Sequence, residues 1–599
     1  MDIIVKIRIL IPCCIIFCSI SCLSQSAKQT YTTMYDLKFT MNADSSVVAP
    51  WQENAAYLHA SLPAFTQIEG RRLFRKIYGK EYPFSDRLRT EMEQRILLPL
   101  GDKKSGMVAL ECAGKNIQRI SVLLQTFDKE ERILSSDTMN FVPDTVLGAT
   151  SKELCLHRAE LLHIRIHAEG EKNKQAHVTF SGLNLFIDGK PIDAYPLREL
   201  TDTDKRKFPY HVSIVADREI PLEQIKEIGD RRIIALGESV HGNEKMKQLA
   251  YRLMLRMAEN DNCRLILLEM PMEKSLACNR YIREKEYELD SLLQIDKVTR
   301  VFLDTLRDFN ANRPDGEKVK LLGIDYNTFV TGRQNSALDI FDFIISLKMQ
   351  KDVPEINRFA LLLMQQDWNR AVAFLQTHRE AMGKILTVDE LAIISHILPL
   401  SNNMGNNSMD RSTLRDSVMF LNTRFLIDRF SPVGCGKVAV YGHTVHLNPV
   451  STYPTGASAP FGRYMSETYG EEYVPLLLLV GEGSTLAFDA AYNRVDAPLL
   501  PPPLHSMENL LYSVNDDLFY VPMSDDFNHL LLSRFKGSHH ILREFYPFNL
   551  YQRCRGIFFI KQGVSSPEWR EGQSVKKTSD RHISAVKRRK KMIDAIQKQ

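Results

Sequence analysis

The sequence predicts an α/β protein whose mainly parallel sheet is flanked by helices and carries a helical insertion, preceded by an N-terminal β-sandwich (jelly-roll-like) domain. Strand-like segments dominate residues 30–200, strands and helices alternate from 215 to 565, and the stretch from about 326 to 430 is almost purely helical. The chain has 599 residues, of which 44% are hydrophobic, and can bury more than one core.

The N-terminal region, residues 30–200, contains short segments rich in branched apolar residues and separated by turn residues such as those at 188–190. The clearest segments are Ile117–Phe127, Leu161–His167, His177–Phe180 and Leu183–Ile187. Several short strands at this spacing are typical of a β-sandwich. Sandwich domains of exported enzymes often bind sugar or act as spacers, and glycan contact is a candidate role of this domain that the fold class alone does not establish.

Residues 215–565 show the alternation of strands and helices that is typical of a parallel sheet covered on both faces. A helix is predicted at Glu244–Glu259, where apolar residues recur at helical spacing. The predicted strands are nearly continuous apolar runs at Arg231–Leu236, Arg264–Leu268, Lys318–Gly323, Lys437–Tyr441, Tyr473–Val480 and Gly556–Ile560.

Ionisable residues follow the ends of five of these strands. In chain order they are Glu238 with His241, Glu269, Asp325, His443 with His446, and Glu482. Because ligands of open α/β sheets bind beyond the carboxyl ends of the strands, we expect these side chains to surround one cavity. Carboxylates and imidazoles that lie together perturb one another's pKa values, which favours a site for proton transfer.

The predicted chemistry is hydrolysis by an activated water molecule. His241 follows Glu238 by three positions in a glycine-flanked turn and is the candidate general base. Glu238 and Glu269 would orient and polarise the reacting groups, and His443 would stabilise the oxyanion or protonate the leaving alcohol. Two alternatives stay open: Ser239 as a nucleophile, although Gly-x-Ser-x-Gly flanks are absent, and a divalent metal held by the same cluster.

Several motifs in this region occur in a fixed order. They are LGESVHGNEKMKQ from Leu236, the strand RLILLEMP from Arg264, LLGIDY from Leu321, Arg415-Asp416 ahead of a helix with Met419 and Asn422, YGHTVHLNP from Tyr441, and GRYMSETYGEEYVPLLLLVGEG from Gly462. Together they resemble the erythromycin-esterase-like family over roughly residues 215–565. The resemblance implies hydrolysis of an ester, in the namesake a macrolide lactone, through a histidine-activated water.

The resemblance also implies which residues are functional. The positions that match the family's motifs are Glu238, His241, Glu269 and His443, with His446, Asp325, Arg415 and Asp416 as supporting or substrate-binding candidates. The sequence departs from the family at Ala250, where many members carry a basic residue nine positions after the first motif histidine. Lys245, Lys247 and Arg252 are the candidates to replace it, and the substrate is left open.

The N-terminal segment predicts the cellular location, and the C-terminal segment has a distinct basic composition. Lys6 and Arg8 precede an apolar run, and residues 1–22 are therefore predicted to be a signal peptide, with Cys22 as a lipid anchor or with cleavage near residues 24–26. We expect an exported protein, periplasmic or anchored at the cell envelope of a bacterium. Residues 570–599 are predicted to be a basic disordered tail, and no nucleic-acid partner is expected although nine Lys or Arg follow Val575.

The function predicted from these observations is a carboxylic-ester or lactone hydrolase acting on a small molecule. No resident cofactor is predicted and no metal ligand is assigned, although a metal-dependent hydrolase using the same cluster is the first alternative. The ten cysteines form no Cys-x-x-Cys pair, which argues against a zinc ribbon. The second alternative is a catalytically inactive surface protein that binds glycan.

Overall fold

A computed structural model of the chain describes residues 93–565 with gaps, together with short segments before and after this range. The longest gaps are 196–207, 326–332, 349–353, 404–410, 452–458, 489–493 and 538–543. Residues 1–22, including Cys22, lie outside the described residues, and the export signal and the lipid anchor stay predictions. Within the described part, no helix combines the length and the apolar character that crossing a bilayer requires.

The N-terminal region consists of two antiparallel sheets that share one core. Its strands are β1 (Gln52–Glu53), β2 (Ala64–Ile68), β3 (Arg71–Tyr78), β4 (Leu88–Leu97), β5 (Ser105–Lys115), β6 (Ile117–Phe127), β7 (Ile133–Phe141), β8 (Gly148–Cys155), β9 (Leu161–Gly170), β10 (Ala176–Phe180), β11 (Asn184–Ile187) and β12 (Lys190–Pro191). One sheet has the order β1-β4-β9-β6-β7 and the other β12-β11-β5-β10-β3-β2, with β8 beside β5. Val122 and Ile164 of the first sheet and Val108 of the second belong to the same buried cluster. The described strands therefore form a sandwich.

The second region is built on one large sheet. Its strands are β13 (Val212–Ser213), β14 (Ile233–Glu238), β15 (Leu265–Pro271), β16 (Lys320–Asp325), β17 (Val438–His443), β18 (Tyr473–Phe488), β19 (Arg494–Pro498), β20 (Leu518–Pro522), β21 (Leu531–Arg534), β22 (Phe545–Phe548) and β23 (Gly556–Gly563). The order is β13-β20-β23-β18-β14-β17-β15-β16, with β19 paired to β18 and with β21 and β22 as a separate hairpin. The pairs from β23 through β18, β14, β17 and β15 to β16 are all parallel.

Helices accompany this sheet throughout. They are α1 (Glu244–Asn260), α2 (Met272–Arg283), α3 (Lys297–Asn310), α4 (Arg333–Lys348), α5 (Pro354–Met364), α6 (Trp368–Thr377), α7 (Arg379–Met382), α8 (Val388–Asn403), α9 (Arg411–Phe430), α10 (Thr444–Leu447), α11 (Phe461–Tyr469) and α12 (Met507–Leu511). The helices α4 to α9 occupy the segment predicted as a helical insertion.

The continuous apolar strands are explained by burial on both faces. Every residue of β14 and of β17 is buried. In β18, Leu476 and Leu478 join the main core, whereas Leu477 and Leu479 join a second core that includes residues of α12. Alternating side chains of one strand thus meet two different layers, which is why neither face could be polar.

Two sequence-based expectations differ from the structure. The strand predicted at Tyr473–Val480 continues to Phe488 because it pairs with β19, and Glu482 therefore lies inside the strand rather than at its end beside the site. Part of the tail predicted to be disordered is helical, at residues 589–591. There the guanidinium of Arg589 bonds to Asp342 of α4, and Ile593 packs on a small apolar cluster of α4 and α5.

The sandwich packs directly against the α/β region. Leu97, Phe127 and Leu161 of the sandwich form one buried cluster with Leu530, Leu532 and Phe545 in and beside the β21–β22 hairpin. The guanidinium of Arg95 lies over the rings of Tyr546 and Phe548, at 5.8 and 5.9 Å from their centroids. This apolar contact between the domains differs from a flexible spacer, in which few contacts cross the boundary.

Candidate active site

The first part of the site is the turn that follows β14. Gly242 has a φ of 73°, in the left-handed region, and a β-carbon there would meet the carbonyl oxygen of Leu486 at 2.4 Å. Asn243 then caps α1 by accepting a hydrogen bond from the backbone N–H of Met246 at 3.2 Å. The turn is further fixed by Thr485, whose hydroxyl donates to the carbonyl oxygen of His241. These contacts hold the imidazole of His241 above the carboxyl end of β14.

Glu238 and His241 form a hydrogen-bonded pair. The Nδ1 of His241 lies 2.8 Å from Oε1 of Glu238. The hydroxyl of Tyr441, at the end of β17, donates to the other carboxylate oxygen. An ionised glutamate only accepts, so Nδ1 of His241 carries the hydrogen and Nε2 is left as the basic nitrogen. The imidazole is about one third exposed and the carboxylate is nearly buried, at 34% and 9% of their side-chain areas.

Glu269 lies near the end of β15, the strand that pairs with β17 on the side opposite β14. Its Oε2 accepts a hydrogen bond from the backbone N–H of His443 at 2.6 Å, and its Oε1 accepts from Nη2 of Arg415 at 2.7 Å. Gly442 permits this approach, since a β-carbon there would meet the Glu269 side chain at 2.9 Å. Burial opposes ionisation of Glu269, but the charge that His446 carries when protonated, the permanent charge of Arg415 and the hydrogen bond from the backbone of His443 outweigh it and hold the pKa of Glu269 far below the usual range.

Arg415, near the start of α9, connects three of the predicted residues. It donates to both oxygens of Asp325 at 2.8 Å, in addition to Glu269. Its Nη1 lies 3.0 Å from Nε2 of His446, whose Nδ1 lies 2.8 Å from Oδ1 of Asp416. Because a guanidinium only donates, Nε2 of His446 accepts and Nδ1 donates to Asp416. Both nitrogens of this imidazole are therefore engaged by protein groups.

His443 ends β17 directly beside Glu238, because the two residues are register partners of neighbouring parallel strands. Its ring centroid lies 4.2 Å from that of His241. The backbone N–H of Val445 donates to Nδ1 of His443 at 3.4 Å, which places the hydrogen of a neutral imidazole on Nε2. His443 is thus arranged as a hydrogen-bond donor next to the candidate base.

A cavity of about 310 Å³ opens beside these groups. Its ionic lining residues are Glu238, His241, Lys247, Glu269, Lys274 and Asp296, and its apolar lining includes Leu268, Ile295, Leu303 and Leu321. Lys247 forms a 3.0 Å ion pair with Asp296. Burial opposes the charge of Lys247, but the nearby carboxylates of Asp296 and Glu238 raise its pKa above the usual range. This lysine therefore stays a cation within the cavity wall.

The structure brings all eight residues predicted from the sequence into one site: Glu238, His241, Glu269, Asp325, Arg415, Asp416, His443 and His446. Ser239, weighed as a nucleophile, is fully buried. Of the three residues suggested to replace the missing basic group at Ala250, Lys247 lines the cavity, whereas Arg252 bonds to carbonyl oxygens at 215 and 218. Ala250 itself is part of the core.

Sequence reasoning missed two contributors, Tyr441 and Asp296. Tyr441 could have been found, because it lies within an apolar strand two positions before His443, and a buried hydroxyl needs a polar partner. Asp296 precedes α3 as its N-cap, and no sequence pattern ties that helix to the site. Among the described residues, no group of three or more His, Cys, Asp and Glu side chains is arranged to hold a metal ion.

Part of the α/β region matches a known protein family. Residues 258–547 match the family model described as Erythromycin esterase. These residues, just under half of the chain, are therefore similar to that family. Six of the eight site residues lie inside the matched range, whereas Glu238 at the end of β14 and His241 in the turn after it precede this range. No curated protein sequence matches the chain significantly.

Several solved structures are similar to parts of the chain at low sequence identity. A Bacillus cereus protein aligns at 15% identity with a TM-score of 0.47, over 61% of this chain and 98% of its own. The erythromycin esterase EreC, a His-to-Asn mutant in its open conformation, aligns at 15% identity with a TM-score of 0.40, over 58% and 95%. TmCBM61 in complex with β-1,4-galactotriose aligns at 12% identity with a TM-score of 0.18, over 24% of this chain and 92% of its own.

Proposed function

We propose that the protein hydrolyses an ester or lactone by direct attack of a water molecule that His241 activates. The observation that carries this proposal is the 2.8 Å contact of Nδ1 of His241 with Glu238, beside a cavity of about 310 Å³. A carboxylate that holds one imidazole nitrogen fixes the tautomer and the ring orientation, and leaves the other nitrogen basic. This is the arrangement that a general base requires.

The proposed reaction begins when Nε2 of His241 removes a proton from water while the oxygen attacks the carbonyl carbon. The resulting tetrahedral oxyanion accepts a hydrogen bond from Nε2–H of His443, whose ring centroid lies 4.2 Å from that of His241. When the intermediate collapses, the bond to the alcohol oxygen breaks, and the proton that His241 took from water goes to that oxygen, either directly or by way of His443, so that both imidazoles end neutral. The products are the acid and the alcohol, and no covalent enzyme intermediate forms.

Glu269 and Arg415 have a supporting role in this proposal. Glu269 bonds to the backbone of His443 and to Arg415, and Arg415 extends the network to Asp325 and His446. The network fixes the backbone of His443 at the end of its strand. The full charge of Glu269 also favours a protonated state of the histidines in the transition state.

The size of the cavity bears on the substrate. A volume of about 310 Å³ lies at the lower end of the range for small-molecule pockets. Apolar residues such as Leu303 and Leu321 line it together with the charged groups. We therefore propose that a small, partly apolar acyl or alcohol group occupies this cavity, and that any larger remainder of the substrate lies outside it.

The test is a panel of p-nitrophenyl esters and of small and macrocyclic lactones, offered to the wild type and to His241→Ala with and without EDTA. We expect turnover by the wild type in both conditions, and loss of turnover in His241→Ala with an unchanged melting temperature. Equal rates for the two proteins would contradict the proposed base. Loss of wild-type activity in EDTA, together with near-stoichiometric metal in elemental analysis, would favour the metal-dependent alternative.

A further inference from the structure

Arg553 is a buried cation at the boundary between the sandwich and the α/β region. Only 1% of its side chain is exposed. Its guanidinium stacks on Phe548 at 4.1 Å from the ring centroid. Burial of a guanidinium requires compensation of both its charge and its donors, and the groups that provide this come from two different domains.

The counter-charge comes from the sandwich. Glu131 lies between β6 and β7, and its carboxylate accepts from Nε of Arg553 at 3.1 Å and from Nη2. The same carboxylate accepts from the backbone N–H of Asn549 at 2.8 Å. Glu131 has a φ of 60°, which a non-glycine residue adopts only when its surroundings impose it. Asp128 stabilises this turn by accepting from the backbone N–H groups of residues 130 and 132.

The remaining donors of Arg553 hold the segment that follows the site histidines. Nη1 donates to Oδ1 of Asn448 at 3.2 Å and to the carbonyl oxygen of Val450 at 2.9 Å, and Nη2 donates to that of Ser451 at 3.2 Å. Asn448 in turn donates through its side chain to the carbonyl oxygen of Thr444 at 2.6 Å. Thr444 is the first residue of α10, the short helix that follows His443 and contains His446.

These contacts form one continuous chain from the sandwich to the site: Glu131, Arg553, Asn448 and the helix α10. We propose that Arg553 and Glu131 are positioning residues, through which the N-terminal sandwich holds α10 and thereby sets the placement of His443 and His446. The sandwich is then a structural part of the active site in addition to any binding role of its own. The catalytic half of this proposal rests on the proposed ester hydrolysis, whereas the structural half does not.

A helix of four residues has little stability by itself, which is why its support matters. Helix α10 is held by the burial of Thr444 and Leu447 and by the groups that bond its backbone. A displacement of His443 by about 1 Å is expected to lower the rate of the chemical step by about 100-fold, since catalysis depends steeply on the geometry of the reacting groups. Substrate binding in the cavity beyond β14 would change little, so the effect should fall on kcat rather than on KM.

The experiment uses full-length protein and two matched double variants. The first is Glu131→Gln with Arg553→Gln, which removes both charges and leaves no buried ion unpaired. The control is Arg534→Gln with Glu544→Gln, another fully buried ion pair whose arginine bonds to carbonyl oxygens at 480, 481 and 500 instead of 450 and 451. The single variant Glu131→Gln serves if the first double variant does not fold.

Two readouts are compared at equal distance below each melting temperature. Hydrogen–deuterium exchange followed by mass spectrometry reports on the amides of residues 444–451, and p-nitrophenyl acetate or the best ester of the panel reports kcat and KM. We expect faster exchange at 444–451 and a kcat about 10- to 100-fold lower, with an unchanged KM, only in the 131/553 variant.

Unchanged exchange at 444–451, or an equal rise in both double variants, would overturn the proposal. Faster exchange in the 131/553 variant alone, combined with an unchanged kcat, would overturn the catalytic half. If the wild type cleaves no ester at all, the proposed hydrolysis fails, but the exchange experiment still decides whether the sandwich orders α10. The two failures are therefore distinguishable.

Discussion

The site contains two carboxylate–histidine pairs that have the same hydrogen bond and different surroundings. Glu238 contacts His241 and Asp416 contacts His446, and both contacts join Nδ1 to a carboxylate oxygen at 2.8 Å. The imidazole of the first pair is 34% exposed and lines the cavity, whereas that of the second is 14% exposed and bonds to Arg415.

The difference between the pairs lies in the second nitrogen. In His446, Nε2 accepts from Arg415 and cannot also take a proton from water without breaking that contact. In His241, the described residues offer Nε2 no hydrogen-bond partner. The pair of Glu238 and His241 is therefore arranged to transfer a proton, whereas the pair of Asp416 and His446 holds neighbouring groups in place.

The most direct test is the removal of each imidazole in turn. His241→Ala should lower kcat by about 10²- to 10⁴-fold, because a general base contributes about that much, and should change the free energy of unfolding little. His446→Ala should lower kcat by only about 10- to 100-fold, but should cost about 1–3 kcal/mol of stability because it leaves buried donors and acceptors unpaired. Steady-state kinetics and urea unfolding measure both. Equal kinetic losses would remove the distinction between the pairs.

Arg415 should matter more for stability than for the chemical step. Arg415→Gln leaves Glu269 and Asp325 without their cation, and breaking a buried ion pair in this way costs about 3–5 kcal/mol. Glu269→Gln combined with Arg415→Gln should recover part of this loss, since fewer buried charges are left unpaired. Urea unfolding of the two variants checks the expectation. A double variant less stable than the single one would show that the carboxylates do not depend on this arginine.

Tyr441 allows a finer test of the first pair. Tyr441→Phe removes the hydroxyl that donates to Glu238 and leaves the ring in place. We expect kcat to fall by about tenfold, because a hydrogen bond to a charged group is worth about 1.5–3 kcal/mol and part of it orients the carboxylate. A matched control is Tyr251→Phe, which removes a hydroxyl that bonds to Thr299 instead of Glu238. Similar losses in both variants would argue against a specific role of Tyr441.

The smallest effect concerns pH. The pKa of Glu269 is lowered in the folded protein, because the charge that His446 carries when protonated and the permanent charge of Arg415 outweigh the effect of burial. Its contribution to stability is therefore complete above the pKa of an unfolded glutamate, about 4.3, and decreases as the pH falls below it. Between pH 7 and pH 3.5 we expect a loss of about 1 kcal/mol in the wild type that Glu269→Gln does not show. Urea unfolding at the two pH values provides the comparison.

Features set by local sequence could be predicted for this molecule, whereas features set by contacts between distant segments could not. The strands β14, β15 and β17 were foreseeable because continuous apolar runs of five or six residues have few other uses, and Glu269 follows from the end of its strand. Glu482 was misplaced because the pairing of β18 with β19 extends the strand, and pairing partners are not visible in a single apolar run. The contact of Glu131 with Arg553 joins positions 422 apart, and neither residue lies in a motif.

The register of Glu238 with His443 sets a limit on how the site can move. The two residues are fixed on adjacent parallel strands, and the distance between their backbones is that between neighbouring strands, about 4.8 Å. A substrate cannot draw them together or apart without breaking hydrogen bonds in the centre of the sheet. The central groups are thus pre-organised, and ligand-free and ligand-bound crystals should superimpose here even if the surrounding loops rearrange.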